Sequence, residues 1–244
     1  MRDPDAVTAF FPTDHVIRDA NAFAVAVRAA VAEARNGSLV CLGISPTRAA
    51  TGFGYLRCRG TLRPGIPAGV ERFVEKPDAA TARRFLRSGR HLWNAGMFVW
   101  RADRFLEELA VHAPSTHAAV VATAAGDRSA WDGAERRSVD YAVMEKARGV
   151  RVVPLDAGWD DVGSWDAVAA LRREAGTDRD PRAVLVESPG SVVLSEGRTV
   201  AVVGVPGVVV VETKDAVLVV ARGASEKVRA VVDALRSRGR DELL

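Results

Sequence analysis

Fifteen valines lie between Val184 and Val220, separated by glycine, proline, serine and acidic residues. β-Branched side chains lose rotamer freedom in a helix and suit a pleated surface, so this stretch is confined to short strands. Four or five are expected, over 183–187, 191–195, 199–203, 208–213 and 216–221, followed by an amphipathic helix over 225–238. No clean internal period is read from the stretch, and two or three coils of a β-solenoid stay open.

The chain before it is built differently. Apolar runs that read as strands, at 6–11, 39–44, 52–58, 70–75, 92–100 and 150–154, alternate with segments of helical periodicity. The run 6–11 reads as a buried strand. Asn21 is placed to cap a helix through Arg35, and Asn36-Gly37 to stop it. Lys76-Pro77-Asp78 ends a strand and opens a helix through Ser88. Further helical stretches are expected at 102–111, from Pro114, at 138–147 and at 164–174. Such alternation predicts an α/β layered domain with a mostly parallel or mixed sheet. The turn-rich, charged segment 176–181 (GTDRDP) then divides an α/β domain, 1–178, from a β-rich domain, 179–244, that ends in a helix.

Charge and cysteine content exclude several function classes. Thirty-four basic residues against 31 acidic ones give +3 over 244 residues, too little for nucleic-acid binding. The densest basic group, Arg83, Arg84, Arg87 and Arg90, reads as the solvated face of a helix. Two cysteines, Cys41 and Cys58, exclude a disulfide scaffold and a four-cysteine zinc site. The longest apolar run, 200–211, is too short for a bilayer and is broken by Gly204, Pro206 and Gly207. The first residues carry acids where a signal peptide has bases, so no membrane association and a cytoplasmic location are expected. The four histidines lack metal-ligand spacing, and there is no G-x-S-x-G elbow, no G-x-G-x-x-G after a strand and no P-loop.

Four strings concentrate unusual residues where strands end. Ligands of open α/β sheets sit outside the carboxyl ends of strands, which suits Asp14 in Phe11-Pro12-Thr13-Asp14-His15; a turn or helix-capping aspartate fits the string as well. In Phe73-Val74-Glu75-Lys76-Pro77, a glutamate and a lysine meet at the sheet rim, as a phosphate-binding pair or as a loose surface ion pair. Only Lys76, Lys146, Lys214 and Lys227 break the dominance of arginine among the bases. Each of them raises the question of whether a compact ammonium is needed there. Asn94, in Leu92-Trp93-Asn94-Ala95-Gly96, is either an amide for sugar hydroxyls or a buried amide satisfied by backbone, and Gly96 suggests a bulge or a close approach. In Gly158-Trp159-Asp160-Asp161-Val162-Gly163-Ser164-Trp165, one carboxylate could serve magnesium while its neighbour or Ser164 caps the next helix. Trp159 and Trp165 read as packing.

Taken in order, PTDHVIRD, GISPTRAATGFGYL, ERFVEKPD, WNAGMFVWRAD, SVDYAVMEK and VVPLDAGWDDVGSWDAV resemble the bacterial mannose-1-phosphate guanylyltransferases over nearly the whole chain. The resemblance implies a Rossmann-like nucleotidyltransferase domain followed by a small β-helical domain. It implies transfer of a nucleotidyl group from GTP to mannose 1-phosphate, giving GDP-mannose and pyrophosphate, with Mg2+ as cofactor. By motif position, Asp14 and Asp161 are the implied metal ligands. Lys76 is implied to hold the sugar phosphate, Glu75 and Asn94 to meet the sugar, and the backbone of Gly52 and Gly54 to approach it. Lys76, Asp14 and Asp161 are thereby the implied catalytic residues. Thr13, Phe53 and Ala49-Ala50 depart from the family's usual small residue, tyrosine and Pro-Glu.

The family's first strand and G-G-x-G-T-R-L loop, which wrap the triphosphate, have no counterpart in this sequence. The nucleotidyltransferase domain is therefore expected to be incomplete, with its GTP site partial and its activity at trace level. The competing expectation is a non-catalytic protein that binds sugar phosphate or another subunit. Homo-oligomerisation stays open.

Overall fold

The computed structural model describes residue 3 and residues 5–243, which fall into two compact units, 1–161 and 162–244. In the first, a six-stranded sheet has the order β1 (Val7–Phe10), β5 (His91–Arg101), β2 (Val40–Ile44), β6 (Arg151–Leu155), β4 (Ala68–Val74), β3 (Tyr55–Cys58). Strand β3 also pairs with β5, so the ladders β5–β2–β6–β4–β3 close into a ring. The sheet is mixed, but only β2 and β6 run parallel; the other pairings are antiparallel. A mostly parallel sheet requires a crossover between each neighbouring pair, whereas here β3 and β4 form a hairpin that returns antiparallel.

The long central strand β5 is buried on both faces. Side chains that alternate along β2, β5 and β6 enter two cores. Val40, Leu42, Ala95, Met97, Val99, Val153 and Leu155 meet helix α1 (Ala20–Arg35) through its buried alanines 26, 30 and 34. Three alanines one turn apart let a helix backbone lie close on a sheet. Leu39, Cys41, Phe98, Trp100 and Val152 face the other way, toward α3 (Ala102–His112), α4 (Pro114–Ala124) and a π-helical turn at Asp140–Met144. Helix α2 (Ala79–Ser88) starts on Asp78, whose carboxylate accepts from the backbone N–H of Thr81, and ends on the left-handed Gly89.

Three local expectations are corrected. Helix α1 is capped by Asp19 rather than Asn21; the Asp19 carboxylate accepts from the N–H groups of Asn21 and Ala22. Strand β1 is an edge strand paired only with β5, and Phe10 is 52% exposed, not buried. The helical stretch expected over 138–147 is narrowed to a π-helical turn at Asp140–Met144.

In the second unit, α5 (Trp165–Glu174) is capped by Ser164 and packs through the buried Ala169 against Val192, Val209 and Val220. The division by contacts falls at 161/162, because α5 shares its core with the valine-rich strands. These are β7 (Ala183–Val186), β8 (Val192–Ser195), β9 (Val200–Val203), β10 (Val208–Glu212) and β11 (Val217–Ala221), with helix α6 (Val228–Ser237) after them. Strand β7 lies parallel to β9 and β8 parallel to β10, both ladders offset by 17 residues. The two stretches are therefore superposed coils, each turning a corner at a Pro-Gly, 189–190 and 206–207, whose glycines have positive φ. The clean period absent from the sequence reading is present at 17 residues. Valine at nearly every strand position conceals it. The antiparallel β11 takes the other edge of β10 and ends the stack.

The second coil is stapled to the first by Glu212, only 3% exposed. Its carboxylate accepts from Ser195 Oγ, from the N–H groups of Glu196, Gly197 and Arg198, and from the Arg198 guanidinium. These donors hold its pKa down, to about 2 from the usual 4.5. A lowered folded pKa gives stability that is present in full above the unfolded pKa and lost as pH falls toward 2. Glu212→Gln is expected to speed amide exchange at residues 196–198 at about pH 7 and to leave the second unit with a flatter loss of stability between about pH 5 and 2. Both are read by hydrogen exchange across that range.

Candidate active site

Strand ends and two turns gather most of the expected residues in the first unit. Glu75 follows β4, its side chain 8% exposed, with Lys76 Nζ 3.5 Å from Glu75 Oε1. Glu75 Oε2 is buried and has no hydrogen-bond partner. It sits over Gly54, where an added Cβ would lie 2.4 Å from it. Glycine at 54 is therefore what leaves room for the carboxylate. Burial raises the Glu75 pKa above its usual value; the Asp140 charge adds to this and Lys76 opposes it. Lys76 has φ of 45°, a left-handed conformation uncommon for a side chain of this type and often retained at ligand-binding positions.

Asn94 stands in β5 beside this group and is 8% exposed. Its backbone N–H donates to the Gly54 carbonyl. Its Nδ2 donates to Asp140 Oδ1 at 2.9 Å, and its Oδ1 accepts from the Gly96 N–H at 3.2 Å. Gly96, at φ of 67°, lies opposite a register shift between β2 and β5, the irregularity its position suggested. The amide keeps one N–H and one lone pair uncommitted, since each partner uses only one of each. Gly52 lies two residues before Gly54, with open space where a Cβ would stand.

Asp14 and Asp161 lie on two segments that are joined by backbone. Val16 and Asp160 exchange two hydrogen bonds, of 2.9 and 3.0 Å, as an antiparallel bridge, so Asp14 and Asp161 stand on paired segments. Asp14 is exposed and Asp161 half-buried. Val162, next in sequence, has φ of 51°, which a β-branched residue adopts only under constraint. Among the described residues, no group of three or more histidines, cysteines or carboxylates could hold a metal ion. An aromatic row links the carboxylate pair to the glycine loop. Trp159 donates to His15 Nδ1 at 3.1 Å and packs edge-on against Phe53, which in turn packs against Trp93. The Arg48 guanidinium lies over both Phe53 and Trp93.

Two acids in this cluster have no assigned role in the sequence reading. The π turn brings half-buried Asp140 and exposed Glu145 to the cluster, with the Glu145 N–H bonded to the Asp140 carbonyl. Asp140 then holds Asn94, and Glu145 accepts from the Glu75 N–H at 2.7 Å. Acids five residues apart fall on different faces of an α-helix, so helical periodicity could not pair them. The signal was the string SVDYAVMEK itself. Cys41 and Cys58 are both buried in the core, where burial raises their thiol pKa values, that of Cys58 to about 12, so both are inert thiols.

The family model "Nucleotidyl transferase" matches residues 1–177, and the chain belongs to that family. A second model, "MannoseP isomerase/GMP-like beta-helix domain", matches residues 181–235, the superposed coils and most of α6. Among curated relatives, the xanthan biosynthesis protein XanB of Xanthomonas campestris pv. campestris (strain ATCC 33913) is 42% identical over 98% of this chain and 53% of its own length. A mannose-1-phosphate guanylyltransferase of Escherichia coli (strain K12) is 38% identical, over 98% of this chain and 53% of its own. The chain spans about half the length of the curated relatives it matches. A crystal structure from Thermus thermophilus, titled mannose-1-phosphate geranyltransferase, superposes with a TM-score of 0.80 at 36% identity, covering 94% of this chain and 70% of that one. No helix among the described residues is long and apolar enough to cross a membrane.

The buried, half-orphaned carboxylate of Glu75 has a stability signature. A carboxyl whose folded pKa is raised costs stability once pH exceeds its unfolded pKa. Glu75→Gln is therefore expected to melt higher than the parent at about pH 7. The difference is expected to shrink as pH falls through the ordinary carboxyl range, where the glutamate is protonated in both states. Thermal melts across that range check it.

Proposed function

We propose that this chain serves transfer of a nucleotidyl group from GTP to mannose 1-phosphate, giving GDP-mannose and pyrophosphate, and that the cluster at the ends of β4 and β5 holds the sugar phosphate. What supports this reading most is the buried Glu75 Oε2, which has no partner in the protein and lies over Gly54, with Lys76 against the other carboxylate oxygen and Asn94 bonded through its backbone to Gly54. A hydroxyl of a sugar can donate to that oxygen. The relatives named mannose-1-phosphate guanylyltransferase point to the same sugar.

In this reading Lys76, more than half exposed, carries the phosphate of the sugar as a compact point charge. Glu75 accepts from sugar hydroxyls, Asn94 adds its uncommitted amide hydrogen, and the Gly52–Gly54 backbone lies against the sugar. Asp140 and Glu145 fix Asn94 and the Glu75 backbone. Asp14 and Asp161 take Mg2+, for which one or two carboxylates suffice because the ion keeps waters and substrate phosphate in its other positions. Magnesium supplies charge neutralisation on the phosphates during transfer.

Two outcomes test the reading by calorimetry and by pyrophosphate release. Lys76→Ala is expected to weaken mannose 1-phosphate binding about ten- to a hundredfold, the equivalent of a charge-assisted hydrogen bond of roughly 1.5–3 kcal/mol, with mannose binding little changed. Equal losses for both ligands would remove Lys76 from the phosphate. With GTP, mannose 1-phosphate and magnesium supplied, Asp14→Asn and Asp161→Asn are each expected to abolish magnesium-dependent pyrophosphate release. Release unaffected by either variant would place the ion elsewhere.

A further inference from the structure

A second charged feature lies on the sheet face that α2 covers. Arg57 of β3 stands directly opposite Arg72 of β4 on one side and His91 of β5 on the other. Like charges directly opposite each other on antiparallel strands are destabilising. Arg84 of α2 and Arg90 complete the ring around a cavity of about 370 Å³, and Phe85 walls it. Four guanidinium groups line the cavity and no carboxylate does. Arg57 has a partner, Glu71 at 2.9 Å, but Glu71 also serves Arg59. Arg72 and Arg90 make no ion pair among the described residues. The uncompensated charge is felt at His91, buried beneath Phe85 and bonded to Ser88 Oγ. Its pKa is lowered first by burial and then by Arg57, Arg84 and Arg90. None of the residues given a role in transfer lines this cavity.

We propose that the cavity binds a small phosphate-bearing ligand, a phosphate monoester or pyrophosphate, held by the guanidinium forks of Arg72 and Arg90 with Arg57 and Arg84 beside them. An anion there would reverse the sign of the cross-strand repulsion. Planar guanidinium groups pair with phosphate oxygens two at a time, and several around one cavity match a multiply charged anion better than a single carboxylate. The volume falls in the range of small-molecule sites, and the concavity under a helix together with the chain's net charge of +3 does not suit a nucleic acid. This inference stands independently of the role assigned to Lys76.

The test uses the full chain and two probes, inorganic phosphate and pyrophosphate, titrated at constant ionic strength against chloride. Thermal melts and calorimetry are run on the parent, on Lys76→Ala and on the double variant Arg72→Gln/Arg90→Gln. At least one probe is expected to raise the Tm of the parent and of Lys76→Ala alike. The double variant is expected to melt higher than the parent without anion, because the repulsion is relieved, and to bind the probe at least about tenfold more weakly. Arg84→Gln, exposed on α2, is expected to give a smaller loss of the same kind and serves if the double variant does not fold. The proposal is overturned if neither probe shifts the parent. It is overturned equally if the shift survives the arginine variants, or if it disappears with Lys76→Ala instead.

Discussion

Strand β5 is the member on which the first unit depends. It is buried on both faces, and its edges are shared out: β2 runs along one, while β3 and β1 occupy the two ends of the other. Between those two partners, residues 94–97 lack a regular ladder on that edge, and the Asn94 N–H is satisfied instead by the Gly54 carbonyl. Buried backbone groups must find partners somewhere, so the break draws in the glycine loop. It also frees the Asn94 side chain to reach Asp140. The candidate site is thus a local failure of sheet pairing, completed by a loop and a π turn.

Left-handed backbone occurs at one candidate residue and next to another. Lys76 and Val162 adopt left-handed backbone at positions where an ordinary strand end would avoid it. Such conformations persist when surrounding contacts over-determine them. At Lys76 those contacts are visible: Glu145 holds the preceding N–H, and Asp78 anchors the start of α2 two residues later. A short strap fixed at both ends points the lysine at the same space as Glu75.

Much of this was legible in the residues. The elements of the first unit follow their apolar periodicity closely, since alternation along β2, β5 and β6 sorts side chains into two cores whatever the topology. Gly96, Asp78 and Ser164 act as their types suggest. Parallel against antiparallel pairing was not legible, because periodicity is blind to strand direction and only the β3–β4 hairpin settles it. Asp140 and Glu145 escaped because their partnership needs a turn wider than an α-helix. Arg84 and Arg90 read as part of a solvated helix face and Arg57 and Arg72 drew no reading, since nothing in a linear chain reveals that Arg57, Arg72 and His91 fall in register across three strands. Expected roles for Asp14 and Asp161 came from motif position; the bridge between Val16 and Asp160 puts them on neighbouring segments.

The 17-residue coil has a consequence for how such a chain can change its length. Ser188 and Ser191 of the lower coil bond to the backbone of Val205 and Val208 in the upper one, each at the same offset as the strands themselves. Inserting or deleting one residue inside a coil would put every later corner out of phase with the one beneath it and turn inward valines outward. Length in this region is therefore quantised. It tolerates whole coils, added at the end that β11 does not close, and resists the small insertions that surface loops of the first unit absorb.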